Sequence, residues 1–183
     1  MSKIYLAPIQ FGNLTFLKSL FSELNKIFQN KVEILGLNID VDSAYSKDRS
    51  QYYSTKLIAS AIELTKEIEG KIILLVEFDL YVPVFTYVYG EAQLNGKHSI
   101  VSLCRLHEEF YTGVTDDSSL MSRAIKEILH ELGHNFGLHH CKDWGCVMHM
   151  AGIIEEVDIK GSTFCSECIS KVPDFNLNLI PTL

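Results

Sequence analysis

The sequence predicts an α/β fold: a twisted mixed sheet of about five strands with helices packed on it, followed by a cysteine-rich C-terminal part. Three observations predict it. Strand-like and helix-like segments alternate through the N-terminal half, one long amphipathic helix follows, and four of the five cysteines come after that helix.

The apolar run Ile4 to Ile9 opens the chain as a short strand. Leu14, Leu17, Leu20, Phe21, Leu24 and Phe28 recur at spacings of three and four, which predicts a helix ending near Asn30. Val32 to Leu37 reads as a second strand, and Leu57, Ala61, Leu64 and Ile68 predict a second helix from about Gln51 to Glu69, stopped by Gly70. Ile72 to Val76 is wholly aliphatic, as in a strand covered on both faces, so a β-α-β-α-β order implies a largely parallel sheet. In Val84 to Gly90, Phe85, Tyr87 and Tyr89 alternate onto one face of an expected fourth strand. Ser99 to Leu103, after the turn-like Asn95-Gly96, is the fifth.

From Ser118 the pattern is helical, with Asp116, Asp117 or Ser118 available as the cap. At about 100° per residue, Met121, Ala124, Ile125, Ile128, Leu129, Leu132 and Phe136 share one arc, opposite Arg123, Glu127, His130 and His134. Residues four apart lie one turn above each other, so His130 and His134 can aim both imidazoles at one metal ion. Glu131 is displaced to the flank, where a carboxylate can take a proton from a water without becoming a ligand. A catalytic zinc ordinarily takes three protein ligands and keeps one open position. Gly137 can end the helix and reverse the chain, which makes His140 the expected third ligand and His139 the alternative.

Cys141 and Cys146, with Cys165 and Cys168, supply four thiolates, the donor set of a closed structural zinc site that would pin the chain after His140. A redox Cys-x-x-Cys and a pair of disulfides are the competing readings. An odd total of five cysteines argues against full internal pairing. Cys104, in an apolar stretch, is expected to be a small buried group, and His98, His107 and His149 stay unassigned.

The chain of 183 residues is long enough to bury a core of its own, and 47% hydrophobic with 21% charged residues is a globular balance. A net charge of -7 disfavours phosphate-driven nucleic-acid binding. The first residues lack a secretory pattern and the longest aliphatic run is too short to span a bilayer, so a cytoplasmic location without membrane association is expected.

The string from His130 to His140, His-Glu-x-x-His-x-x-Gly-x-x-His, resembles the metzincin peptidases. Continued through Cys141, Cys146, Met148, Cys165 and Cys168, it is similar to the archaemetzincin family, found in archaea and vertebrates. The 16-residue spacer between Met148 and Cys165 bears on a loop rather than on the site. The resemblance implies a zincin-like α+β catalytic domain over residues 1–183. Its N-terminal subdomain, about 1–137, would end with the active-site helix, and 138–183 would carry the third histidine, the Met-turn and the four-cysteine site. It also implies a zinc metallopeptidase with Glu131 as general base, Met148 beneath the metal in a Met-turn, and the Val84 to Gly90 strand as the edge along which a substrate extends. Two Zn2+ per chain, a peptide or protein substrate and a monomer are expected. The rival is an inert two-zinc scaffold that binds a protein partner, against which the intact Glu131 counts.

Overall fold

A computed structural model describes residues 3–29 and 31–172. The expected helix end near Asn30 and the last eleven residues of the expected C-terminal subdomain, 173–183, lie outside the described residues. In chain order the regular elements are β1 (Ile4–Pro8), α1 (Leu14–Ile27), β2 (Val32–Ile34), β3 (Tyr45–Ser46), β4 (Gln51–Tyr53), α2 (Ser54–Leu64), β5 (Lys71–Val76) and β6 (Leu80–Tyr81). They continue with β7 (Gly90–Ala92), β8 (His98–Ser102), α3 (Glu109–Thr112), α4 (Asp117–Asn135), α5 (Ile154–Ile159) and α6 (Ser166–Lys171).

The main sheet has the order β2-β1-β5-β8-β7, with every pair parallel except β7 against β8. This is the expected five-stranded mixed sheet, with β5 at its centre. Because side chains alternate across a strand, Ile73 and Leu75 enter the apolar cluster beneath α1 and α4, while Ile72, Leu74 and Val76 enter the cluster beneath α2. All five are fully buried.

Two expectations are corrected. Residues 82–89 form a looping segment with one isolated bridge, Leu80 to Val88, and the edge strand begins only at Gly90. The carbonyls that a ladder would have used are taken by side chains. Arg49 donates to the Phe85 and Thr86 oxygens at 2.6 and 3.2 Å, and Gln51 Nε2 donates to Thr86 at 3.0 Å. The helix expected from Gln51 starts at Ser54, because Gln51 to Tyr53 pair with β3 and β6 in a small second sheet.

α4 determines where the chemistry lies. Asp116 caps it, accepting from the Ser118 and Ser119 N–H groups at 3.0 and 3.1 Å. Its apolar arc packs into the core, and its opposite face is also buried, since the C-terminal part of the chain covers it. At its far end Asn135 Nδ2 donates to the carbonyls of Gln93 and His98, at 3.1 and 2.9 Å, which ties the helix to the β7–β8 turn. Among the described residues no helix is long and apolar enough to cross a membrane.

Candidate metal centres

α4 ends as the glycine predicts. Gly137 has φ of +91°, its N–H reaches the His134 carbonyl at 2.9 Å, and the Leu138 N–H reaches the Gly133 carbonyl at 2.9 Å. This is a Schellman closure, and it sends the chain back along the helix. The reversal carries His140 to the pair on α4: ring centroids lie 4.7 Å apart for His130 and His134, 5.2 Å for His130 and His140, and 4.9 Å for His134 and His140. One ring nitrogen from each falls within 4.8 Å of the other two. His139, the alternative, is exposed and outside this group.

The hydrogen bonds orient two of these rings. His130 Nδ1 lies 2.9 Å from the Val147 carbonyl and His134 Nδ1 lies 2.7 Å from the Leu138 carbonyl. A carbonyl only accepts, so each Nδ1 carries the proton and each Nε2 presents a lone pair. The two Nε2 atoms face each other at 3.1 Å. Neutral lone pairs that close repel, and a shared cation resolves this, because two nitrogens about 2.0–2.1 Å from one zinc sit roughly 3.3 Å apart. Burial is the first cause that lowers the pKa of His130, His134 and His140, which keeps all three rings neutral and able to ligate. The donor set therefore fits zinc.

Glu131 is buried beside them and lines the same cleft. Its pKa is pushed well above the usual carboxylate range by burial, then by the neighbouring Glu127 carboxylate, with Lys160 acting the other way. Room for it comes from Gly90, where a Cβ would lie 2.5 Å from Glu131 Oε1. The cleft, of about 490 Å³, runs between residues 85–94 on one wall and Met150 to Gly152 on the other. Tyr87 bridges the walls, its hydroxyl donating to the Gly152 carbonyl at 2.7 Å.

The four cysteines form the second group. Cys141 and Cys165 sulfurs are 3.8 Å apart, Cys146 and Cys168 sulfurs are 3.7 Å apart, and all four Sγ atoms lie within 4.8 Å of one another. No disulfide joins them, and bonded sulfurs would lie about 2.05 Å apart. Four thiolates about 2.3 Å from a tetrahedral zinc would be separated by roughly 3.8 Å, so this set fits zinc as well. The Cys141 N–H donates to the Met148 carbonyl at 2.9 Å, so the residue directly after His140 is held by this cluster and by the Met148 segment together. Met148 is fully buried, its sulfur against Gly133, on the helical turn between His130 and His134.

His149, left unassigned, stacks on Trp144 at 3.9 Å on the cysteine side and does not line the cleft. His98 is a core residue meeting Thr65 and Gln93, and Cys104 is half-buried with its thiol pKa raised by burial. Sequence reasoning missed Gly90, Glu127 and Lys160. The helical spacing places Glu127, four residues before Glu131, on the arc of His130 and His134 without giving it a role. Gly90 and Lys160 reach the cleft only through the fold.

Residues 12–174 match Peptidase family M54. The chain is 35% identical to the archaemetzincin of Methanocaldococcus jannaschii over 173 residues, covering 94% of this chain and 93% of that protein. It is similar to the crystal structure of a zinc-dependent peptidase from Methanocorpusculum labreanum, with TM-score 0.81, 27% identity, and 92% and 99% of the two chains covered. It is also similar to the Archaeoglobus fulgidus archaemetzincin complexed with malonate, with TM-score 0.76, 31% identity, and 93% and 99% covered.

Proposed function

The chain belongs to peptidase family M54 and is a zinc metallopeptidase similar to the archaemetzincins, and from that premise we propose that it hydrolyses peptide bonds with Glu131 as general base. His130, His134 and His140 would hold the catalytic zinc. Cys141, Cys146, Cys165 and Cys168 would hold a second, structural one, giving two per chain. The observation that carries this reading is the meeting of the His130 and His134 Nε2 atoms at 3.1 Å, with His140 beside them and a buried carboxylate one residue away.

Zinc, when bound there, supplies a Lewis acid that polarises a carbonyl and lowers the pKa of a water from about 15.7 to about 7. Glu131 takes that water's proton as its oxygen bonds to the carbonyl carbon, then delivers the proton to the leaving nitrogen as the C–N bond breaks. Glu131 is buried in the cleft one residue from His130, which keeps its carboxylate within the site for both steps. The Val147 and Leu138 carbonyls fix two of the ligand rings, and Met148 supports the helical turn that carries them.

β7 pairs with β8 along one edge, and its other edge borders the cleft. An extended peptide laid along that edge would gain backbone hydrogen bonds without side-chain selectivity. We place the substrate there, at Gly90 to Ala92 rather than along the looped 84–89. The test is a peptide-library digest by the zinc-loaded protein, read by mass spectrometry with and without a chelator. Chelator-sensitive cleavage is expected. A protein that holds zinc but cleaves no peptide would favour the inert scaffold that binds a protein partner. A cytoplasmic monomer without nucleic-acid or membrane association completes the proposal.

A further inference from the structure

The side chain of Lys160, just beyond α5, is only 1% exposed, an unusual state for a lysine. Its Nζ lies 2.6 Å from Glu127 Oε1, and Glu127 is itself 5% exposed. Removing an ammonium from water costs several kcal/mol, roughly, unless a partner offsets it, so the pair needs a reason. Docking α5 onto α4 does not supply one. Lys126 Nζ already donates to the Val157 and Asp158 carbonyls at 2.9 and 2.8 Å, and Arg123 grips the Asp158 carboxylate at 2.7 and 2.6 Å.

The place of Lys160 is more telling. Among the described residues it is the one lysine or arginine lining the cleft, whose other ordinarily charged lining residues are Glu91, Glu127 and Glu131. Its backbone has little freedom. The Lys160 N–H reaches the Glu156 carbonyl at 2.9 Å, the Gly161 N–H reaches the Trp144 carbonyl at 2.8 Å, and a Cβ at Gly161 would overlap the Gly145 carbonyl. Lys160 lines the same cleft as His130, His134, His140 and Glu131, which puts it on the wall of the site that holds the reacting groups. Glu127 meets it as an ion-pair partner, and an ammonium has three donors, so hydrogen-bonding capacity is left over.

We propose that Lys160, anchored by Glu127, is a catalytic residue that donates a hydrogen bond to the scissile carbonyl oxygen as that oxygen becomes an oxyanion. This rests on the peptidase reading above. In the ground state Glu127 balances the ammonium and a neutral carbonyl gains little. As negative charge develops on the oxygen, a cation already fixed in place interacts with it more strongly and without reorganising. No proton leaves Lys160. The water's proton passes through Glu131, and Lys160 only shares a hydrogen.

The experiment measures binding rather than turnover. Zinc-loaded wild type, Lys160→Met and the double variant Glu127→Gln/Lys160→Met are titrated calorimetrically with two peptide analogues of one sequence, a phosphinate that mimics the anionic tetrahedral state and a neutral hydroxyethylene. The double variant is needed because Lys160→Met alone leaves Glu127 buried without a counter-ion. Loss of one oxyanion donor predicts that phosphinate binding weakens by roughly 10- to 100-fold in both variants, while hydroxyethylene binding changes less than about threefold and zinc content holds. A folded, zinc-loaded double variant that binds phosphinate as tightly as wild type overturns the proposal, as does a wild type that binds no phosphinate. The peptidase reading is judged separately, by whether wild type cleaves the peptide library.

Discussion

The sulfur of Met148 lies directly over Gly133, so closely that a Cβ at position 133 would overlap it. Gly133 is the second free position between His130 and His134, so the methionine packs on the one turn of α4 that spaces the two imidazoles. Gly133→Ala sets two effects against each other. Alanine favours a helix over glycine by about 1 kcal/mol, whereas overpacking a filled core costs about 1–3 kcal/mol. Because Met148 is fully buried and the ring of Phe164 closes the same spot, overpacking should win. Denaturant unfolding should show a net loss of about 1 kcal/mol, and Gly133→Ala/Met148→Ala should be non-additive by more than about 0.5 kcal/mol. Strict additivity would mean that the two residues do not bear on each other.

Gly90 stands in the same relation to Glu131, its missing Cβ falling 2.5 Å from Oε1 and 2.8 Å from Cδ. Gly90→Ala must push the carboxylate aside. A displacement of about 1 Å in a catalytic group lowers kcat/KM by on the order of 10²-fold, and zinc content should not change. Wild-type turnover in this variant would remove Gly90 from the account.

Much of this was legible in the sequence, and for physical reasons. The α4 pattern carries its own cap at Asp116, a three-and-four spacing of apolar residues and a reversing glycine at 137, so its register, and the convergence of His130, His134 and His140, follow from local rules. The Cys141, Cys146, Cys165 and Cys168 group was legible from spacing and an odd count. Segment 84–89 misled because alternating aromatics imitate a strand, while the Arg49 and Gln51 side chains that take its carbonyls lie more than thirty residues away. β3, β4 and β6 run two or three residues each, too short to show a period. Nothing in the local pattern marks Lys160, since only the docking of α5 carries it to the cleft.

The two metal groups share no residue, so they should fail independently. Elemental analysis is expected to find two zinc ions in the wild type and one in each of His130→Ala and Cys165→Ser. The cysteine variant should also lose thermal stability, because it frees the segment that returns from His140. Both variants still holding two ions would overturn the assignment.

Burial, and then the Lys97 charge, lowers the pKa of His98 to about 4. The unfolded ring titrates near 6.5, so between these values the unfolded chain binds the extra proton and folding loses free energy as pH falls. The stability tied to a neutral His98 is complete above about pH 6.5 and is lost progressively toward about pH 4. Wild type should therefore lose more stability than His98→Gln over that interval, measured by urea unfolding at each pH. Parallel losses would show that His98 does not carry the effect.

Glu131→Gln tests the central claim most directly, with zinc content and peptide hydrolysis measured on the same preparation. Glutamine keeps the size and hydrogen-bonding reach of the side chain but cannot take a proton. The variant is predicted to bind zinc at the wild-type ratio while kcat falls by roughly 10²- to 10⁴-fold. Hydrolysis at the wild-type rate with zinc in place would contradict the account.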